Sequence, residues 1–258
     1  MDGIIFFKLT DHTPPYFQLF MDLLFLKLDK EESHRHTGRK RWWNTMARDI
    51  RESEIINKLI QLVNTEGISG LEKIEKGSIL KGKRFRETIE RYYRRKLLWP
   101  LIEADLILVF EDWENIFDRN LIVALETKYF SKEIQSDLEK QLRQAYREFG
   151  QPLRNLVYGF DSIVLWHIFH ESIEDEKIDM YTNTVGETIK KLDLPMLYFG
   201  TKFSKNRFKF YQPWSMDYQD LRYLIECFKS SCRKKRNPLK GEEIKDFRNA
   251  IKVAIGIP

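Results

Sequence analysis

Two apolar stretches lie close together in the chain, DLILVF at residues 105–110 and NLIVALETKYF at residues 120–130. Near-continuous apolar runs of this length are typical of strands that are covered on both faces of a sheet. A polar segment separates them, so we predict an antiparallel hairpin. Charged residues bracket this hairpin: Asp105 opens the first run, and Glu126 and Lys128 stand near the end of the second.

The predicted hairpin brings these charged residues together. If the turn is centred between Asn115 and Ile116, opposed residue numbers sum to 231 and Asp105 lies across from Glu126. Cross-strand partners have Cβ atoms about 4.5–5.5 Å apart, a separation at which two carboxylates can share one divalent cation. Lys128 projects to the same face as Glu126 because strand side chains alternate.

Two acids and an amine in this arrangement favour metal-dependent phosphodiester hydrolysis. Carboxylate oxygens are the hard ligands that Mg²⁺ prefers, and a bound Mg²⁺ polarises phosphate and acidifies water. Lys128 would orient that water and offset developing charge, and the Thr127 carbonyl is a further candidate ligand. The alternative is a solvated hairpin edge, since an acid two residues before a lysine recurs at 175–177 and 243–245.

The segment between the two strands carries further acids. Asp112, Glu114 and Asp118 all lie there, in the predicted hairpin loop. We predict that they face solvent.

The composition indicates a globular protein of one domain with extensions. The chain has 258 residues, of which 42% are hydrophobic and 14% aromatic, too many for a disordered chain. Its two cysteines exclude a four-cysteine metal site and argue against a disulfide scaffold, which predicts an intracellular protein. The apolar segment 16–28 is shorter than the about 20 residues of a membrane span, so we expect no membrane association.

The charge of the chain points to a polyanionic partner. The formal net charge is +5, and basic residues cluster in several short segments interleaved with aromatics. These clusters supply the candidate nucleic-acid contacts Arg39, Lys40, Arg41, Arg94, Arg95, Lys205 and Arg207.

The pattern of elements predicts an α/β fold. A helical N-terminal region at 1–79 precedes a core at 80–215, and a helical, basic tail covers 216–258. Within the core we predict, in order, a helix that stops at Pro100, the hairpin, a helix from Ser131 to Gly150, a strand at 161–171, a helix at 186–193, and strands at 194–203 and 207–213.

Residues 80–170 resemble the PD-(D/E)XK nuclease superfamily, whose restriction-endonuclease-like core runs helix, three strands, helix, strand. The motif acid would be Asp105 in EADLILVF, and the (D/E)XK element would be the ETK of residues 126–128. The resemblance implies a mixed β-sheet flanked by helices. It also implies Mg²⁺ or Mn²⁺ held by Asp105 and Glu126, with Lys128 as the catalytic amine.

Two further roles follow only from the resemblance. The helix in GKRFRETIERYY resembles the family's first core helix, which makes Glu87, or alternatively Glu90, a second-metal or water-binding acid. The segment EKQLRQAYREFG resembles the helix that carries a positioning glutamine, here Gln141 or Gln144. The tyrosine that RecB-like members carry four residues after the glutamine is absent, since residue 145 is Ala.

The sequence therefore predicts a divalent-metal-dependent nuclease that acts on DNA. A non-catalytic nucleic-acid-binding or assembly module on the same fold is the first alternative, and an unrelated α/β protein with surface acids is the second. Pairing of two chains into a homodimer that cuts both strands is left open.

Overall fold

The structure is a computed structural model that describes residues 52–93, 104–112, 119–130, 149–239 and 242–257. All of these residues belong to one compact unit, Asp49–Pro258.

The described residues form one sheet of seven strands whose spatial order follows the chain. The strands are β1 Leu71–Lys76, β2 Leu106–Glu111, β3 Asn120–Phe130, β4 Ser162–His170, β5 Leu197–Ser204, β6 Arg207–Gln212 and β7 Met216–Gln219. β3, β4 and β5 run parallel to one another, and all other neighbours are antiparallel. The fold is thus α/β with a mixed sheet, as predicted.

Helices flank both faces of this sheet. They are α1 Glu52–Glu66, α2 Lys83–Tyr93, α3 Gly150–Val157, α4 Asp175–Lys191, α5 Leu221–Lys234 and α6 Glu242–Ile255, with a 3-10 segment at Gly77–Lys81. Apolar residues of α1 and α5 share a core with one face of the sheet, while α3 and α4 contact side chains of the other. No helix in the described part of the chain is long and apolar enough to cross a membrane.

The hairpin of β2 and β3 has the predicted register. Leu106 pairs with Leu125 and Phe110 with Leu121, so opposed residue numbers sum to 231. Every side chain of 106–110 and 121–125 is at most 1% exposed. Both strands are therefore covered on both faces, because each of these side chains packs against a helix or against a neighbouring strand.

Trp166 of β4 is the largest side chain of the core that α1 and α5 cover. Its ring lies 5.5 Å from that of Phe228 on α5 in a T-shaped contact. Its Nε1 donates to Thr201 Oγ1 on β5 at 2.9 Å, so the buried indole N–H is satisfied.

Two strands lie where the sequence predicted helix. β1 falls within the predicted helical region 1–79, and β7 opens the predicted helical tail 216–258. Both are short edge strands with charged or polar residues among their exposed side chains. They lack the apolar runs of central strands because each has a neighbouring strand on one side only, as is usual at sheet edges.

Two helix boundaries also differ from the prediction. Gly150, which was predicted to end a helix, is the first residue of α3, and Pro152 occupies the first turn, where its missing N–H costs no hydrogen bond. The helix predicted at 186–193 is the last part of α4, which begins at Asp175. Acids in the first turn of α4 and lysines in its last turn match the helix dipole.

Asp112 is buried, contrary to the prediction that it faces solvent. Its side chain is fully enclosed, accepts a hydrogen bond from Arg236, and lies 3.7 Å from the Arg233 Nε. Arg233 near the end of α5 and Arg236 just beyond that helix therefore neutralise a buried acid directly after β2, although both arginines lie more than a hundred positions further along the chain.

Gly77 fixes the 3-10 segment against the start of β2. Its N–H donates to the Asp105 carbonyl at 3.0 Å. A Cβ added at Gly77 would lie 1.7 Å from the Ala104 carbonyl oxygen, which is backbone and cannot swing away. Only glycine permits this close approach.

We predict that Gly77→Ala lowers the free energy of unfolding by at least about 2 kcal/mol, because the added methyl group has no space. The matched control is Gly150→Ala, where an added Cβ would meet nothing within 4 Å. This control should lose no stability. Urea denaturation checks both, and equal stability of the two variants would contradict the close contact at Gly77.

Candidate functional site

Asp105 lies one residue before β2, at the end of the hairpin. Its N–H donates to the Leu125 carbonyl at 3.1 Å, and the paired register ends beside it at Leu106 and Leu125, so the predicted pair of Asp105 with Glu126 lies one position outside that register. Its Oδ2 accepts hydrogen bonds from the Thr127 N–H at 2.7 Å and the Thr127 Oγ1 at 2.8 Å. Two donors on one buried residue thus hold the carboxylate against β3.

The Asp105 carboxylate is partly desolvated. Burial raises the pKa of Asp105 above its ordinary value, while the hydrogen bonds from Thr127 and the charges of Lys128 and Lys81 act in the opposite direction. Burial is the largest of these influences. A buried carboxylate whose charge is incompletely compensated is suited to bind a cation.

Glu126 supplies the second carboxylate. It is half-buried on β3, and its Oε1 accepts a hydrogen bond from Gln151 Nε2 on α3 at 2.7 Å. Gln151 was not predicted as a site residue because Gly150 and Pro152 resemble a helix end. The predicted glutamines, Gln141 and Gln144, lie outside the described residues.

Lys128 lies two residues beyond Glu126 on the same face of β3. Its charge acts on Asp105 and on His167, its partner in the parallel pairing with β4. His167 is fully buried, and burial, with a smaller effect of Lys128, lowers its pKa to about 3. Its Nδ1 lies 3.1 Å from the Tyr198 hydroxyl. A neutral imidazole therefore lies beside Lys128.

The helix acid predicted from the resemblance contacts a lysine of its own helix. Glu87 is exposed and pairs with Lys83 one turn earlier, at 3.5 Å. Across the described ranges, no three His, Cys, Asp or Glu side chains come close enough together to hold a metal ion. Asp105 and Glu126 are then the two candidate ligands that are left. Mg²⁺ is commonly bound through one or two carboxylates with waters completing its coordination shell.

Two of the predicted nucleic-acid contacts lie at the hairpin of β5 and β6, Lys205 in its turn and Arg207 at the start of β6. Lys205 and Asn206 have φ values of 46° and 64°, the left-handed pair of a two-residue hairpin turn, and Lys205 is exposed. Arg207 is exposed and donates to the Tyr218 carbonyl of β7. Because β3 and β5 run in the same direction, the turn after β5 and the C-terminal end of β3 lie at the same end of the sheet.

The other predicted contacts are not placed by the structure. Arg39, Lys40, Arg41, Arg94 and Arg95 lie outside the described residues. Their role in nucleic-acid binding stays a prediction.

No protein-family model matches this chain, and comparisons with curated proteins and with solved structures found no match. A functional assignment therefore depends on the geometry of the hairpin and on the chemistry of its charged residues.

We predict that Asp105→Asn raises the free energy of unfolding of the metal-free protein at pH 7. An acid whose pKa is raised in the folded state loses folding stability as the pH rises from its unfolded pKa through its folded pKa. Asn removes this loss and can still accept from the Thr127 N–H. Urea denaturation in EDTA should show the difference between variant and wild type shrinking as the pH is lowered.

The control is Glu87→Gln, an exposed acid whose replacement should leave stability nearly unchanged. Lower stability of Asp105→Asn than of wild type at pH 7 would mean that the hydrogen bonds and lysines outweigh burial at this position.

Proposed function

We propose that this protein is a divalent-metal-dependent nuclease that hydrolyses DNA phosphodiester bonds. The observation that carries the proposal is that the β2–β3 hairpin holds the Asp105 carboxylate on Thr127, the residue between Glu126 and Lys128, with the Lys128 charge acting on Asp105. Two acids and an amine at one end of a sheet form a donor set suited to Mg²⁺ or Mn²⁺ and an anionic substrate.

Each residue of the site has a role in this proposal. Asp105 and Glu126 would hold the cation, with the Thr127 carbonyl as a further ligand. When bound, the cation would polarise the scissile phosphate and lower the pKa of the attacking water. Lys128 would orient that water and offset the charge that develops on the phosphate. Gln151 would keep the Glu126 carboxylate in position through its hydrogen bond.

The order of the described elements supports the resemblance to the PD-(D/E)XK superfamily. Among the described elements, the order helix, three strands, helix and strand is found in α1, β1, β2, β3, α3 and β4. The helix α2 lies between β1 and β2 and is additional to this order. In this alignment α1 is the counterpart of the family's first helix. Glu87 then lies on the inserted helix, which accounts for its exposure and its pairing with Lys83.

A non-catalytic nucleic-acid-binding module on the same fold is the second candidate. It is favoured by the observation that, in the part of the chain that the structure describes, no three His, Cys, Asp or Glu side chains come close enough together to hold a metal ion. The proposed nuclease and this module differ in a single measurable property, cleavage.

Incubation with linear, circular and single-stranded DNA in Mg²⁺ or Mn²⁺ tests the proposal. We expect cleavage that EDTA abolishes and that Asp105→Asn and Glu126→Gln each reduce about 100-fold or more, since each removes a ligand charge. Glu87→Gln is the matched control and should stay within about threefold of wild type, because Glu87 pairs with Lys83 on the surface.

Equal cleavage by wild type and Glu126→Gln would place the activity elsewhere or in a contaminant and overturn the proposal. DNA binding that weakens steeply with salt but gives no product would support the non-catalytic module.

A further inference from the structure

β1 is an edge strand, and within the described ranges β2 is its only strand neighbour. The Gly77 N–H, directly after β1, donates to the Asp105 carbonyl at 3.0 Å, so the backbone of Gly77 faces β2. Because the backbone groups of a strand alternate in direction, those of Lys73 and Glu75 also face β2. The N–H and C=O groups of Ile74 and Lys76 therefore face the outer side of the edge.

An open groove of about 370 Å³ adjoins this edge. It is lined by Ile60, Ile74, Glu75, Lys76, Ser78 and Ile79. Consecutive strand residues turn their side chains to opposite faces of a sheet, so a groove that all of 74–76 line lies at the edge itself. Ile60 and Ile79 are partly exposed there. A strand added to this edge would cover both of these apolar side chains.

The charge pattern of β1 is complementary to itself. Its sequence is LEKIEK, with an acid and a lysine on each side of Ile74. When two copies of β1 pair in antiparallel fashion about Ile74, Lys73 lies opposite Glu75 of the second copy. Glu72 likewise lies opposite Lys76, and twofold symmetry makes each contact occur twice. Opposite charges at cross-strand positions stabilise a pair of strands, whereas like charges destabilise it.

The direction of the backbone groups selects the same register. Hydrogen bonds between two edges form only where outward-facing residues lie opposite one another. Pairing centred on Lys73 or on Glu75 also meets this condition, but it places that residue against its own copy, like charge against like. Pairing centred on Ile74 satisfies the backbone and the charges together.

We propose that two copies of this chain associate through β1 in antiparallel register centred on Ile74. Two seven-stranded sheets then join into one. This inference does not depend on the proposed function. Each candidate site lies beside Gly77, at the end of its own β1, so the two sites of the dimer lie at opposite ends of the paired strands.

Charged side chains and bulges on an edge strand commonly prevent pairing between proteins, and β1 has both. Its bulge, between Leu71 and Lys73, lies outside the central residues 73–75. Lys73 already pairs with Glu75 of its own chain at 3.3 Å. In the dimer these two residues and their copies form a ring of alternating charges around the twofold axis. The charges of β1 therefore favour its own copy and oppose strands of uniform charge.

Sedimentation velocity of the full chain at rising protein concentration tests this association. We expect a reversible equilibrium between monomer and dimer. Lys76→Pro should raise the dimer dissociation constant at least about tenfold, because proline removes the outward N–H. Lys76 has a φ of −70°, which proline adopts without strain, so the monomer should stay folded. Lys76→Ala is the matched control, since it keeps the N–H, and should raise the dissociation constant less.

Exchange of charges tests the register. Glu75→Lys places a lysine against Lys73 of the second copy and should raise the dissociation constant about tenfold. The double variant Lys73→Glu with Glu75→Lys reverses both charges and should restore association to within about threefold of wild type. Thermal unfolding of each variant checks that the fold is intact.

A chain that sediments as a monomer at every concentration would overturn the proposal. A dimer that both Lys76→Pro and Glu75→Lys leave intact would also overturn it, because that dimer would form through another surface. Loss of the dimer in Glu75→Lys without recovery in the double variant would exclude the register centred on Ile74.

Discussion

A slip of one residue between β2 and β3 would turn Glu126 and Lys128 toward the core beneath α1 and α5. The side-chain period of a strand is two, so register decides which face every residue occupies. Here five consecutive side chains on each strand are buried, and a slip would exchange all of them between two different helical layers. The apolar runs therefore specify the register, and the register decides which face of the sheet Glu126 and Lys128 occupy.

The candidate site carries an energetic conflict typical of functional sites. The Asp105 carboxylate is partly desolvated. Burial raises its pKa although the two Thr127 hydrogen bonds and the charges of two lysines lower it. Glu126 is constrained by Gln151 on one side. The surrounding sheet tolerates these charges because its strands are held by apolar contacts on both faces. A bound cation would relieve the charge that the protein alone leaves partly uncompensated.

The parts of the fold that could be predicted from sequence are those set by local pattern. The near-continuous apolar runs of 105–130 were sufficient for the hairpin, the assumed turn centre gave its register over Leu106–Glu111, and the apolar run of β4 was sufficient for that strand. β1 and β7 were missed because edge strands bury few side chains. Asp112 was assigned to solvent because its arginine partners, Arg233 on α5 and Arg236 just beyond it, lie at a distance in sequence that no local pattern covers.

The same distinction applies within the candidate site. Asp105, Glu126 and Lys128 could be proposed from spacing, since one hairpin contains all of them. Gln151 reaches Glu126 through the packing of α3 against the sheet. Only the folded chain relates this residue to the hairpin.

The most direct test of the central claim is an anomalous diffraction experiment on crystals of the protein soaked in Mn²⁺. A cation shared by the two carboxylates should give a peak within about 2.0–2.6 Å of one carboxylate oxygen of Asp105 and one of Glu126, the range of oxygen ligands to such cations. The peak should be lost in Glu126→Gln crystals. Saturating Mn²⁺ that leaves no peak between these two carboxylates would contradict the claim that they share a divalent cation.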